Sequence, residues 1–162
     1  MKYTLTSLDM CWESLSPRRQ ENYLVQICHL YRLADWWSEP CDTLEKIERI
    51  IFGSHCFVVA IRQEPEMILG MGRAISDRAS DAYIQDVMVR PEFRRQAIAS
   101  SILKIIVNRL ERDKMTWIGL IAKEGTRPFY DGLGFSEISG ALPMLRKGID
   151  RIGDVKENIP DL

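Results

Sequence analysis

The residues best suited to chemistry form one run, Val89-Arg90-Pro91-Glu92-Phe93-Arg94-Arg95-Gln96-Ala97-Ile98-Ala99-Ser100. It joins a strand-like segment to a long helical one, so it contains a helix start. Such a start carries unpaired backbone N–H groups and the positive end of the peptide dipole, and exposed cations there cost roughly 0.3–1 kcal/mol each. Arg94 and Arg95 nevertheless stand in it. Guanidinium groups added to free amides make a cradle for a phosphate supplied from outside. Ala97 and Ala99 are short enough to let that ligand reach the backbone. Arg94, Arg95, Gln96, Ala97, Ile98, Ala99 and Ser100 are therefore the candidate anion site. The plainer alternative is that the two arginines pair with Glu92 or only solvate the surface. The chain has no G-x-x-x-x-G-K-[ST] run and no G-x-G-x-x-G after a strand, so neither a magnesium-bound triphosphate nor a dinucleotide is indicated.

The elements that must position this run follow from periodicity. Residues 2–7 alternate like a strand, and Ser16-Pro17 offers an N-cap and first helical position for a helix over Arg18 to Trp36. A second helix is predicted from Asp42-Thr43 to Gly53-Ser54, with Leu44, Ile47, Ile50 and Ile51 on one side. Residues 55–62 and 67–75 then form a hairpin about the turn Gln63-Glu64-Pro65-Glu66, and residues 82–89 add a third antiparallel strand. One long helix is expected from about Phe93 to Asp113, where Ala99, Ile102, Leu103, Ile106, Val107 and Leu110 repeat at three- and four-residue steps. A strand at 115–122, a short helix at 127–132 and a last strand near 135–145 complete the order. The expectation is a single domain over residues 1–162 with a polar tail from about 147.

Composition narrows the function classes. The chain has 162 residues, a formal net charge of −1 and 46% apolar residues, the balance of an ordinary globular domain. Nucleic acid is not an expected partner, because no excess of Lys and Arg is gathered on one face. No apolar run reaches bilayer length and the N-terminus lacks a signal-peptide core, so no membrane association is expected and the compartment is read as cytoplasmic. Cys11, Cys28, Cys41 and Cys56 contain no C-x-x-C pair, and neither His29 nor His55 stands at ligand spacing, so no metal is expected.

Two stretches resemble signatures of the GNAT superfamily of N-acetyltransferases. Val89 to Ala99 is similar to the coenzyme A motif V-x-P-x-[YF]-[RQ]-x-x-G-x-[GA], and Phe129-Tyr130-Asp131-Gly132-Leu133-Gly134-Phe135 is similar to F-Y-x-x-x-G-F. The resemblance implies an α/β (α+β) fold, a mixed and mainly antiparallel central sheet flanked by helices, whose splayed strand pair forms the coenzyme A cleft. Two positions depart from the pattern. Ala97 replaces the usual Gly, and Lys123 stands where many members carry an asparagine.

What the resemblance implies is transfer of acetyl from acetyl-CoA, the cosubstrate, to an amine by direct attack on the thioester. The pantetheine arm would run along Val87, Met88 and Val89, and a backbone N–H near Val89 would face the developing negative charge. Tyr130 occupies the position of the family's general acid, and a phenol can protonate a leaving thiolate. Asp86 is the candidate base. Strand alternation would put Ile84, Asp86 and Met88 on one apolar face, with Gln85 turned away. The alternative is that Asp86 pairs with Arg73 for structure. The acceptor wall is expected to include Trp36, Trp37 and Arg73, with Glu39 close by. An aromatic surface beside a carboxylate suits a cationic small-molecule or protein amine. A catalytically silent coenzyme-A-binding sensor or partner subunit is the competing function. A homodimer is also open, since family members pair through their last strands.

Overall fold

The computed structural model describes residues 2–39 and 42–146. Cys41 and the tail predicted from 147 lie outside these described residues. A five-stranded sheet runs in sequence order: β1 (Thr4–Ser7), β2 (Cys56–Gln63), β3 (Glu66–Ser76), β4 (Asp81–Val89) and β5 (Trp117–Leu120). The first three pairings are antiparallel, and β5 lies parallel to β4. Helices α1 (Leu8–Cys11), α2 (Pro17–Leu33) and α3 (Leu44–Gly53) cover one face. Helix α4 (Ile98–Arg112) covers the other, followed by the short α5 (Arg127–Asp131).

Covering both faces explains why β2 is apolar at nearly every position. Phe57, Val59 and Ile61 enter the layer with Ile27, Leu30, Ile47 and Ile51. The alternate residues Cys56, Val58 and Ala60 enter the layer with Ile102, Leu103, Ile106 and Leu110 of α4. Side chains also dock helices onto strand backbone. Asp9 Oδ1 accepts the Phe57 N–H at 2.8 Å, and Gln26 Oε1 accepts the Ile68 N–H at 2.7 Å.

Several sequence expectations need correction. Helix α2 stops at Leu33 and not at Trp36. Asp35 takes a left-handed φ of 58°, and the Trp36 N–H returns to the Tyr31 carbonyl at 2.9 Å, a closure that ends the helix. Helix α4 begins at Ile98 and not at Phe93, because Pro91–Phe93 forms a separate 3₁₀ turn. β5 has four residues where eight were expected, and α1 was not foreseen. Residues 135–145 form no strand and stay irregular. Ile138, Leu142, Met144 and Leu145 are exposed there.

The far end of α4 is pinned to the sheet by a polar link. Asp113, its C-cap, accepts from Arg109 Nε at 2.5 Å, and its Oδ2 lies 2.9 Å from His55 Nε2 at the start of β2. The hydrogen bonds from Arg109 and then His55 hold the Asp113 carboxyl down at about 2. A depressed carboxyl stabilises the fold above its ordinary value and loses that contribution as pH falls through its native one. Stability should therefore decline between about pH 4 and pH 2, and Asp113→Asn should flatten that part of the profile. Denaturant midpoints taken at pH 5 and at pH 2.5 check this; parallel declines in the two proteins would contradict it.

Candidate functional site

The feature that opens the site is a β-bulge. Arg73 faces Gln85 and Met71 faces Met88, so the single residue Gly72 of β3 stands against two of β4, Asp86 and Val87, and Asp86 takes the left-handed φ of 55°. The bulge inverts the alternation downstream. Ala82 and Ile84 belong to the α4 layer, yet so do Val87 and Val89, while Met88 packs in the α2 layer. The expectation that Ile84, Asp86 and Met88 share a face is thus overturned. Gln85 is not turned away from Asp86 either, because one guanidinium binds both. Arg73 donates from Nε to Asp86 Oδ2 at 2.5 Å and from Nη2 to Gln85 Oε1 at 2.7 Å.

The strands also part here. β5 pairs with Asp81 through Ile84 only, and the rest of β4 runs on without it. The Arg90 N–H donates to the Leu69 carbonyl at 2.9 Å, which makes Gly70 and Val89 a facing pair without mutual hydrogen bonds. Alternation along the ladder then turns the N–H and C=O of Val89 toward the side β5 has left. The carbonyl is met there by Arg94 Nε at 3.2 Å.

Between the 3₁₀ turn and α4, Arg95 and Ala97 both adopt left-handed backbone, at φ 62° and 57°. Each is disfavoured by about 1–2 kcal/mol for a residue with a Cβ. Ala97 is the N-cap of α4 and offers no side-chain cap. The first amide of the helix that finds an acceptor is Ser101, whose N–H and Oγ both donate to the Ala97 carbonyl at 2.9 Å. Among the described residues, the six successive N–H groups from Arg95 to Ser100 have no hydrogen-bond acceptor. Ile98 is buried and anchors the turn, whereas Arg94, Arg95, Gln96 and Ala97 are exposed and Ala99 and Ser100 half-buried. The two arginines stand in this loop rather than in the helix, and neither pairs with Glu92 among the described residues. A run of amides in this conformation, flanked by guanidinium groups, can hold a phosphate or diphosphate.

Tyr130, on α5, packs in the α4 layer between Phe129 and Phe135, with ring centroids 5.0 and 6.1 Å away. Burial pushes its phenol above the ordinary value, which keeps it protonated at neutral pH. Among the described residues its hydroxyl has no hydrogen-bond partner. It can therefore donate to a group arriving in the gap.

On the opposite, α2 side of β4 lies a second group. Tyr31, in the last turn of α2, donates to Asp86 Oδ2 at 2.7 Å. Burial first, and then the Asp86 charge, push the Tyr31 phenol well up. Trp36 stands edge-on to Tyr31 at 6.2 Å and is 48% exposed, so an open aromatic ring lies against the tyrosine that holds Asp86. Trp37 is separate. It packs on the α2 layer, lies under the Arg32 guanidinium at 5.6 Å, and donates from Nε1 to Glu39 at 3.3 Å. Glu39 is also paired with Arg32. The expected aromatic wall with Glu39 therefore divides, with Trp36 against Tyr31 and Trp37 with Arg32 and Glu39.

Sequence reasoning missed Tyr31 as a polar partner because it counts as one more apolar residue in the α2 stripe. Arg90 was also missed. It is buried and donates from Nε to the Ile68 carbonyl at 2.7 Å. Among the described residues no group of three or more His, Cys, Asp or Glu side chains could hold a metal, and no helix is long and apolar enough to cross a membrane.

Comparison with known proteins adds the following. The model of the acetyltransferase (GNAT) domain matches residues 20–153. An uncharacterized N-acetyltransferase of Gracilaria tenuistipitata var. liui is 30% identical over 121 residues, 70% of this chain and 64% of that protein. The chain spans from under a third to about two thirds of the length of the curated relatives it matches. A GNAT-family acetyltransferase from Streptococcus pneumoniae TIGR4 superposes with a TM-score of 0.70 at 22% identity, covering 92% of this chain and all of that one. The structure titled AAC(6')-Iy, in complex with a bisubstrate analogue of coenzyme A, superposes at 0.66 with 13% identity over 91% and 99% of the two chains.

Replacing Ala97 by Gly removes the left-handed Cβ without touching the amides, and should stabilise the protein by about 1 kcal/mol. A denaturant titration tests this. Destabilisation would show that the methyl is packed to advantage.

Proposed function

The chain belongs to the GNAT acetyltransferase family, and from that premise we propose that it is an acyltransferase that moves the acetyl group of acetyl-coenzyme A to a primary amine. The observation that carries this reading is the run of six unpaired amides, Arg95 to Ser100, beside the gap where β4 and β5 part. The residues present fit a diphosphate-bearing carrier. The amides and the Arg94 and Arg95 side chains answer its negative charge. The open edge of β4 through Val87, Met88 and Val89 suits an amide-containing arm laid along the strand. A neighbour in fold, AAC(6')-Iy in complex with a coenzyme-A-based bisubstrate analogue, supports the same choice of carrier.

Acetyl-coenzyme A supplies an acyl group activated as a thioester. The protein's part is positioning and proton handling. Val89 offers its N–H to the carbonyl that is attacked. Tyr130 holds the proton that the departing sulfur needs, and burial keeps it on the phenol. Asp86 accepts the proton that the amine nitrogen must lose as the N–C bond forms and the C–S bond breaks. These groups divide across the sheet. Tyr130 packs on the α4 side and Asp86 lies with Tyr31 on the α2 side. Carrier and acceptor therefore approach from opposite faces and meet at the open edge of β4. The acceptor is a small amine, an amino sugar or a protein amino group, and Trp36 gives its cationic form an aromatic face.

Calorimetric titration with acetyl-CoA, followed by a thiol-release assay with spermidine, glucosamine and a lysine tripeptide, tests the reading. Binding and turnover are expected, and Tyr130→Phe should lower kcat about a hundredfold with binding of acetyl-CoA kept. Absence of binding would remove the reading. Binding without thiol release from any of the three amines would favour a sensor or partner subunit.

A further inference from the structure

Both donors to Asp86 meet the same oxygen. Tyr31 Oη stands 2.7 Å and Arg73 Nε 2.5 Å from Oδ2. Among the described residues Oδ1 has no partner. The carboxylate is held from one side and open on the other, and the exposed Trp36 ring lies beside the same tyrosine. Resting on the acetyl-transfer reading above, we propose that Tyr31 is a positioning residue, which with Arg73 fixes Asp86 so that Oδ1 alone receives the acceptor's amino group. The proton that the attacking neutral amine loses as the N–C bond forms and the C–S bond breaks passes to Oδ1 and from there to solvent, and solvent restores the proton that Tyr130 gives to the departing sulfur. Tyr31 keeps its own proton throughout.

The geometry favours this over a purely structural hydrogen bond. A buried phenol that served only to cap the helix stripe would find a backbone carbonyl of its own neighbourhood. Tyr31 instead reaches 55 residues along the sequence to a carboxylate on a left-handed bulge. Arg73 completes the grip. Its Nε donates to Oδ2 and its Nη2 to Gln85, so the guanidinium makes no fork onto both carboxylate oxygens. Arg73 also leaves the pair formally neutral, so the acceptor meets a directional oxygen rather than a bare negative charge. At the same end of α2, Arg32 and Glu39 pair with one another, and Asp35 stands exposed just past the helix.

The test is a double-mutant cycle on kcat/KM, with the amine chosen as whichever of spermidine, glucosamine and the lysine tripeptide is turned over fastest. Tyr31→Phe keeps the ring and loses the hydroxyl. It should lower kcat/KM for the amine about tenfold, the scale of a hydrogen bond to a charged group, while KM for acetyl-CoA stays put. In an Asp86→Asn background the same change should add almost nothing, because the group being positioned is gone. Equal losses in both backgrounds, or a rise in KM for acetyl-CoA matching the loss, would make Tyr31 a packing residue and overturn the inference. Wild type that turns over normally beside an unimpaired Tyr31→Phe would overturn it alone. Wild type silent with all three amines would remove the acetyl-transfer reading and this inference with it.

Discussion

The structure depends on one extra residue in β4. At Asp86 the strand takes a left-handed step that its partner β3 does not match. That step changes which side chains face which layer, bends the strand, and coincides with the point where β5 lets go. Without it, Val89 could not join the α4 layer while Asp86 faces Arg73 and Tyr31 on the other. Gly72, across from the bulge, is the matching adaptation. A Cβ there would sit 2.9 Å from Ile102 Cγ2 and 3.2 Å from Ile106 Cδ1, so glycine lets α4 lie close where the sheet is most distorted. A left-handed aspartate is disfavoured on its own account, and three contacts hold it in place: the Arg73 ion pair, the Tyr31 hydroxyl, and the regular ladder on either side.

The second strained segment, Arg95 to Ala97, shows the same economy at the mouth of α4. Two left-handed residues with side chains and a run of open amides would be a poor helix start in isolation. What offsets it is the rest of the helix. Ile98 plugs the core immediately after the turn, and Ile102, Leu103, Ile106 and Leu110 follow on the same buried face. Asp113 ties the far end to His55 and Arg109. The tertiary packing of α4 is what permits its first turn to remain unsatisfied. This is the general arrangement in which a rigid element carries a locally unfavourable site.

Much of this was legible in the sequence, and the failures share a cause. Period-two and period-3.6 patterns gave the strands and helices, and Ile102, Leu103, Ile106 and Leu110 were read as the buried stripe that they are. The run from Arg94 to Ser100 was recognisable because cations at a helix start contradict local preference. What periodicity could not supply was any departure from regular backbone. It carried α4 back to Phe93 across a 3₁₀ turn and a left-handed loop. It also carried strict alternation through Asp86 and so misplaced Ile84 and Gln85 relative to Asp86 and Met88. Neither Asp86 nor Ala97 is a glycine, so the usual mark of positive φ was missing. Residues 135–145 failed in a different way. Their apolar content reads as a strand, but strand formation needs an edge to pair with, a tertiary fact that composition does not encode.

Bulge and loop are consecutive on the chain, and that order has a consequence for the chemistry. Only the three residues Val87, Met88 and Val89 separate the carboxylate at Asp86 from Arg90, whose buried guanidinium ties the end of β4 to the Ile68 carbonyl of β3. A further step brings Arg94 back onto the Val89 carbonyl. The Asp86 carboxylate, the open strand edge and the run of open amides thus hang on one short, doubly anchored stretch of backbone. On the proposed reading, with carrier and acceptor on opposite faces of the sheet, this short stretch sets the distance between them. The bulge then makes that distance useful, by turning the carboxylate to one face while Val89 keeps its amide at the edge.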